Sequence, residues 1–222
     1  MMLLTATLTA LVISVVLHEI AHGVAALACG DDTAYRAGRL NPNPIKHVDP
    51  LGSIGLPLIL FLTHAPFMFG YAKPVPVRFD RLRRPRIGTA IVAAAGPLTN
   101  LALAVLAALA MHLMPEVKSP EEAGWAQTFL TTMLILNLML MWFNLLPVLP
   151  LDGGRIAFSF APESWTRYMP TLEKAGMVAV IGLLFIIPAL LAQFGVEFNV
   201  AGPLLVEPVL KMAEWLLKAV GV

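Results

Sequence analysis

Long apolar runs, separated by short polar stretches, give the chain its main pattern. A helix that crosses a membrane needs about 20 mostly apolar residues, and four runs reach that length: 3–28, 88–114, 125–147 and 172–194. A fifth apolar run, 51–69, is interrupted by glycine and proline residues. Because these residues break helices, and irregular backbone at membrane depth needs protein cover, we expect 51–69 to form a re-entrant or hairpin segment.

The C-terminal run, 202–222, differs from the others because its charged residues recur at helical spacing. The charged residues are Glu207, Lys211, Glu214 and Lys218. On a helix they fall on one face, and apolar residues form the opposite face. The pattern predicts an amphipathic helix. Two placements remain open: the helix lies along the membrane interface with Trp215 as an anchor, or it packs against the protein as an ordinary helix.

Two connecting stretches, 30–50 and 70–87, are rich in turn-forming residues. The second contains 73–77, in which two prolines favour extended backbone. We expect short β-strands or a hairpin in these loops. Since the sequence shows no long repeat and no separate soluble region, residues 1–222 are expected to form a single membrane-embedded domain.

Composition places the chain in a membrane. Hydrophobic residues make up 58% of the 222 residues and charged residues 13%, whereas a soluble domain is about one quarter charged. The mean hydropathy of +0.79 excludes a water-soluble globular protein and a disordered chain. A net charge of +1 gives no indication of nucleic-acid binding. We therefore predict an all-α integral membrane protein with about four transmembrane helices, surrounded by the lipid bilayer.

The first apolar run carries the pattern H-E-x-x-H, formed by His18, Glu19 and His22. On a helix, residues four apart lie on the same face, so both imidazoles can bind one metal ion. Zinc accepts imidazole nitrogens and suits this pair. Glu19 can reach a water at the metal, act on it as a general base and pass the proton to the leaving amine.

The surroundings of this motif strengthen the metal interpretation. Ionisable side chains are costly inside a membrane and are usually functional there, and the first run holds three of them close together. The alternative is structural: the His–Glu–His cluster forms buried hydrogen bonds that hold helices together.

A catalytic zinc site usually has three protein ligands, so a third ligand is needed besides the two histidines. The best candidate is Asp152, which follows the run 125–147 and precedes two glycines that allow a tight turn. The alternative is that Asp152 caps the next helix, since aspartate often has that role. The local sequence leaves both interpretations open.

A shared metal ion would also constrain the topology. If the two histidines and Asp152 hold one zinc ion, the first and third long runs must point the same way. Between these two runs the chain must then cross the membrane once, in the opposite direction. The second long run supplies that crossing, provided that 51–69 does not span the membrane.

Charge in the connecting stretches predicts the orientation. Basic residues concentrate in 30–50 and 70–87, whereas 115–124 is mainly acidic. The positive-inside rule places the two basic stretches in the cytosol. We therefore predict an N-terminus outside the cytosol and an active site that opens towards it.

Taken together, these motifs resemble the site-2 protease family of intramembrane zinc metalloproteases, and in particular its compact prokaryotic branch. The resemblance starts from the H-E-x-x-H motif and the stretch N-L-L-P-V-L-P-L-D-G-G-R at 144–155. Four further stretches match: G-R-L-N-P at 38–42, H-V-D-P-L-G at 47–52, F-G-Y-A-K-P-V-P-V at 69–77 and A-G-P-L-T-N at 95–100. The matches cover most of residues 14–156.

The resemblance implies a role for each motif residue. His18, His22 and Asp152 would be the ligands of one zinc ion per chain, and Glu19 the catalytic base. Asn144 matches a family asparagine thought to contact the substrate backbone or the oxyanion, and a side-chain amide can donate a hydrogen bond to developing negative charge. The alternative for Asn144 is a hydrogen bond between helices. The resemblance also implies a prokaryotic cell membrane, which is the inner membrane where there are two.

Three further residues have less defined predictions. Gly96 and Asn100 form a Gly-x-x-x-Asn pair in an apolar helix, and we interpret them as structural, through close helix packing and an interhelical hydrogen bond. His47 lies in a loop and could line the site or support it.

The predicted function is hydrolysis of a peptide bond in or near a transmembrane segment of a membrane protein substrate, with no nucleic-acid partner. One alternative is a catalytically inactive pseudoprotease that binds membrane helices, which the intact Glu19 disfavours. A second, less favoured, is a metal-ion transporter with a His/Asp site at mid-membrane.

Overall fold

The computed structural model describes residues 1–55, 62, 72–114, 123–196 and 198–221. This part of the chain is helical and contains no β-strand. Its α-helices are α1 (Met2–Ala28), α2 (Thr33–Arg36), α3 (Pro85–His112), α4 (Trp125–Asn144), α5 (Asp152–Ser159), α6 (Met169–Ile181), α7 (Ile187–Ala192) and α8 (Glu207–Val220). Shorter helical turns occur at Pro44–His47, Pro50–Gly55, Phe79–Arg81, Glu163–Tyr168, Gly182–Ile186 and Gly202–Val206.

Four helical stretches are long and apolar enough to cross a membrane. They are α1, α3, α4 and Met169–Ala192, in which a wider helical turn joins α6 to α7. These stretches coincide with the four long apolar runs of the sequence. The prediction of an all-α integral membrane protein with about four transmembrane helices is therefore confirmed.

Helices α1, α3 and α4 form the central bundle. Alanines at their contacts allow the helices to approach closely, and large apolar side chains from α4 fill the remaining space. The indole nitrogen of Trp125 donates to Thr5 Oγ1 at one end (3.1 Å), whereas His18 approaches Asp152 at the other. Helices α1 and α4 thus run in the same direction with α3 antiparallel to them, as a shared metal ion requires.

The end of the bundle where α1 finishes and α3 begins is called the site end below. A backbone hydrogen bond joins the two chain segments there: Arg83 N–H donates to the carbonyl of Cys29 at 2.9 Å. The end of α1 and the start of α3 therefore lie at the same end of the bundle, in agreement with the expectation of no net crossing between α1 and α3. The predicted re-entrant segment 51–69 lies outside the described residues, apart from 51–55 and Leu62.

The prediction of short strands in the loops is wrong for the described residues. Stretch 30–50 forms α2 and a short turn, and residues 72–78 are irregular. Lys73 N–H donates to the carbonyl of His47 (2.9 Å) and Val75 N–H to Glu19 Oε2 (2.7 Å). These donors bond to a loop carbonyl and a side chain, and Pro74 and Pro76, which alternate with them, carry no N–H for a strand ladder.

Helix α8 is amphipathic as predicted, and it packs along the bundle. Its buried face, Val209, Ala213 and Leu216, joins the core formed by α3 and α4. Trp142 Nε1 donates to the carbonyl of Leu204 at 2.8 Å, near the site end, whereas the last turn of α8 lies beside the C-terminus of α3. Of the two placements, the structure therefore favours the packed helix. Trp215 is 71% exposed on its outer side.

Candidate metal centre

The side chains of His18, His22 and Asp152 converge at the site end of the bundle. The two imidazole Nε2 atoms are 3.0 Å apart, and Asp152 Oδ2 lies 3.4 Å from each of them. These potential ligand atoms all lie within 4.8 Å of one another. Two imidazoles and one carboxylate form a donor set that zinc accepts, with room for a fourth ligand.

The local sequence explains how Asp152 reaches the histidines. Helix α4 ends at Asn144, before two prolines, and α5 begins at Asp152. A Cβ atom at Gly153 would collide with the carbonyl of Leu145, and one at Gly154 with the backbone of Val148 and Leu149. Because both glycines lack a side chain, α5 can lie directly against the preceding loop with its first residue turned inward.

The carboxylate of Asp152 does not serve as a helix cap here. The N-cap of α5 is Leu151, with no side-chain capping bond. Asp152 Oδ2 is buried and has no hydrogen-bond partner among the described residues. A buried carboxylate oxygen without a partner is costly, and a cation between it and the two imidazoles would satisfy it. The residues present therefore fit a zinc ion.

A second layer of polar side chains lies behind the histidines. His18 Nδ1 is 2.6 Å from Asn100 Oδ1, and Asn100 Nδ2 donates to Asn137 Oδ1 at 2.8 Å. Asn137 Nδ2 in turn donates to Ser14 Oγ at 2.8 Å. On the other side, His22 Nδ1 lies 2.7 Å from the carbonyl of Val92.

Sequence reasoning found part of this layer. Asn100 makes the predicted hydrogen bond between helices and also contacts His18, which the structural interpretation of this residue did not include. Ser14 and Asn137 were missed. A signal was present: Ser14 is a polar residue in an apolar helix, one turn before His18 and on the same face.

Glu19 and Asn144 both line a cavity beside the three potential ligands. The cavity has a volume of about 350 Å³ and is also bordered by Val75, Phe79 and Arg155. Glu19 Oε2 accepts the hydrogen bond from Val75 N–H, so the backbone of the 72–78 segment fixes its position. Asn144 Nδ2 donates to the carbonyl of Leu140 in its own helix at 2.9 Å, so this bond does not connect two helices.

Arg155 is a further polar residue of the cavity wall that sequence reasoning did not select. Its guanidinium lies over the Phe79 ring, 5.4 Å from the centroid, and donates to Glu173 of α6 at 3.1 Å. His47 is 2% exposed and bonds through Nε2 to the carbonyl of Asn41. It supports the loop at the site end and does not line the cavity.

Comparison with known proteins gives consistent matches. The model of peptidase family M50 matches residues 114–189. The chain is 39% identical over 182 residues to the "Putative zinc metalloprotease YwhC" of Bacillus subtilis (strain 168), covering 80% of this chain and 78% of that protein. It is 32% identical over 180 residues to the "Putative zinc metalloprotease Rip2" of Mycolicibacterium smegmatis, covering 80% of this chain and 65% of that protein. No solved structure matches the chain.

These matches agree with the donor set at the site end and with the apolar helices that surround it. A relative this similar, matched over more than two thirds of its own length, shares the fold and the family of the chain. The protein therefore belongs to peptidase family M50, the site-2 protease family, and is a zinc metallopeptidase embedded in a membrane.

Proposed function

We propose that this metallopeptidase hydrolyses a peptide bond in or near a transmembrane segment of a membrane protein substrate. The observation that carries the proposal is the position of His18, His22 and Asp152. Their ligand atoms meet at one end of a bundle of membrane-spanning helices, beside a cavity that Glu19 and Asn144 line. A substrate helix in the same bilayer could reach this site after local unwinding.

In this proposal His18, His22 and Asp152 hold one zinc ion per chain. When bound, zinc polarises the peptide carbonyl and lowers the pKa of a water molecule. Glu19 removes a proton from the attacking water and later delivers that proton to the leaving amine nitrogen. The hydrogen bond from Val75 N–H to Glu19 Oε2 holds the carboxylate at the cavity.

Asn144 is proposed to bind the substrate backbone or the developing oxyanion. Its side-chain amide lies in the wall of the cavity and donates to the carbonyl of Leu140. That carbonyl belongs to the same helix, so a small rotation of the side chain would redirect the amide N–H to a substrate oxygen.

The proposed substrate is a transmembrane helix with residues that weaken helical structure near the cleavage point. A helix engages its carbonyls in its own hydrogen bonds, and the attack needs one carbonyl released from them. Glycine and proline lower the cost of that unwinding. We further propose a prokaryotic cell membrane, the inner one where two are present, with the site facing the cytosol.

The first experiment measures zinc in detergent-purified protein. We expect about one zinc per wild-type chain and its loss in His18→Ala, His22→Ala and Asp152→Ala. Asp80→Ala, which removes an exposed carboxylate, is the matched control and should retain zinc. Normal zinc in Asp152→Ala would show that the third ligand lies elsewhere.

The second part of the experiment tests cleavage in proteoliposomes. Single-span substrates with and without a central Gly-Pro pair are compared, and we expect cleavage of the weakened helix by the wild type. Glu19→Gln should bind zinc and leave the substrate intact. A zinc-loaded wild type that cleaves neither helix would contradict the proposed substrate class. Zinc flux into the liposomes would instead support the transporter alternative.

A further inference from the structure

A line of buried hydrogen bonds connects His18 to the interior of the bundle. It passes from His18 Nδ1 through the side chains of Asn100, Asn137 and Ser14. Asn100, Asn137 and Ser14 are each 0% exposed. The line ends at two backbone carbonyls: Asn137 Nδ2 also donates to Met133 O at 2.8 Å, and Ser14 Oγ donates to Ala10 O at 2.7 Å.

These two carbonyls fix the direction of every bond in the line. A carbonyl oxygen accepts hydrogen bonds and does not donate them, so the Asn137 atom that faces Met133 must be the amide nitrogen. The oxygen of Asn137 then faces Asn100, which must present its nitrogen to it. The Ser14 hydroxyl gives its proton to the carbonyl of Ala10, so its oxygen is free to accept from Asn137.

The direction of these hydrogen bonds also determines which atom of Asn100 faces His18. Since Asn100 presents its nitrogen to Asn137, its oxygen faces His18 Nδ1 at 2.6 Å. A hydrogen bond there requires the imidazole proton on Nδ1. The lone pair is then on Nε2, the atom that lies 3.4 Å from Asp152 Oδ2. His22 reaches the same state directly, because its Nδ1 faces the backbone carbonyl of Val92.

We propose that Asn137, acting through Asn100 and anchored by Ser14, is a positioning residue that sets the tautomer of His18 for metal binding. The inference rests on the proposed ligand role of His18. Residues behind a metal ligand fix its tautomer and ring orientation, and their loss commonly weakens metal binding by about 10–100-fold. Here Asn137 acts on His18 through the side chain of Asn100, and it lies on α4 whereas His18 lies on α1.

The test uses the full-length protein in detergent, with zinc affinity measured by competition with a chelator. Asn137→Leu keeps the size of the side chain and removes both its donor and its acceptor, so we expect zinc affinity to fall by about 10-fold or more. Leu134→Ala, which removes buried volume from the same helix outside the line, is the control for general destabilisation. It should bind zinc as the wild type does.

The tautomer is measured directly in zinc-free protein with ¹⁵N-labelled histidine, above the pKa of free histidine. The wild type should show His18 with its proton on Nδ1, assigned by loss of the signal in His18→Ala. Asn137→Leu should show both tautomers, because Asn100 can then turn either way. A single Nδ1–H form together with wild-type zinc affinity in Asn137→Leu would overturn the proposal.

A second pair of variants keeps the test decisive if Asn137→Leu does not fold. Asn100→Asp retains an acceptor oxygen for His18 Nδ1–H, whereas Asn100→Leu removes it. We expect the Nδ1–H form in the first and a mixture with weaker zinc binding in the second; equal behaviour of the two would contradict the proposal. Wild-type zinc binding by His18→Ala would instead refute the ligand assignment on which it rests.

Discussion

Gly96 shows how closely one residue can be fitted to the metal centre. It lies on α3 against the two imidazoles, and a Cβ atom there would come within 2.5 Å of His18 Cε1 and of His22 Nε2. Sequence reasoning explained this glycine by close helix packing, which is correct in kind. The identity of the packed groups came from the structure: they are the two side chains proposed to bind zinc.

We expect Gly96→Ala to displace both imidazoles and to lower zinc affinity by about 10-fold or more, with a parallel loss of cleavage. The measurement is chelator competition on the folded variant. The matched control is Gly182→Ala, at a helical glycine where an added Cβ meets nothing within 4 Å. That control should leave zinc binding unchanged, and unchanged binding in Gly96→Ala would contradict the geometry of the centre.

At the scale of elements, the segment 72–78 depends on two carboxylates, one within the second half of α1 and one just after that helix. Glu19 accepts from Val75 N–H, and Asp31 Oδ2 accepts from Arg78 N–H at 2.7 Å. Asp31 Oδ1 also accepts from the backbone N–H of Thr33. Asp31 is fully buried, so its hydrogen bonds join the end of α1, the start of α2 and the segment 72–78, which forms one wall of the cavity.

These hydrogen bonds of Asp31 give a signed prediction for pH. Burial by itself raises the pKa of Asp31, but hydrogen bonds from Thr33 and the Arg78 N–H outweigh it, and the pKa is lowered from 3.8. The charged form therefore stabilises the fold above about pH 4, and this contribution disappears as pH falls through the lowered pKa. Asp31→Asn should cost about 1–3 kcal/mol at neutral pH and flatten this part of the pH dependence.

Thermal unfolding in detergent between neutral and acidic pH checks this prediction. Asp80→Asn is the control, because it removes the same charge from an exposed residue two positions after Arg78. Equal stability of Asp31→Asn and Asp80→Asn at neutral pH would show that the Asp31 bonds do not hold the segment.

At the scale of the whole molecule, charge separates the two ends of the bundle. The site end carries the basic residues between α2 and the start of α3, and several of them are exposed: Arg36, Lys46, Arg78, Arg81, Arg83, Arg84 and Arg86. The start of α4 and the end of α3 lie at the opposite end. The positive-inside rule therefore predicts a cytosolic site end.

Cysteine labelling in intact cells tests this orientation. With Cys29 replaced by serine, Arg84→Cys places one thiol just before α3 and Ala123→Cys places one just before α4. We expect a membrane-impermeant maleimide to label position 123 from outside and position 84 after permeabilisation. The reverse pattern would invert the orientation, and labelling of both from outside would contradict a spanning α3.

The sequence alone determined the four membrane helices, the amphipathic C-terminal helix and the family resemblance. These follow from length, apolar content and spacing along one chain, because a helix in a membrane satisfies its own backbone. The sequence alone also determined that His18 and His22 can bind one metal ion, since residues four apart on a helix share a face wherever the helix lies.

Tertiary structure decided what residues distant in sequence do to one another. It placed Asp152 beside the histidines and brought Val75 N–H within hydrogen-bond distance of Glu19. It also linked His18, through Asn100, to Asn137 on another helix. It turned the charged face of α8 outward along the bundle, and it gave the N–H groups of Lys73 and Val75 a loop carbonyl and a carboxylate as acceptors in place of a neighbouring strand. No local pattern fixes these contacts, because each depends on how separate helices approach and which buried polar groups then find partners.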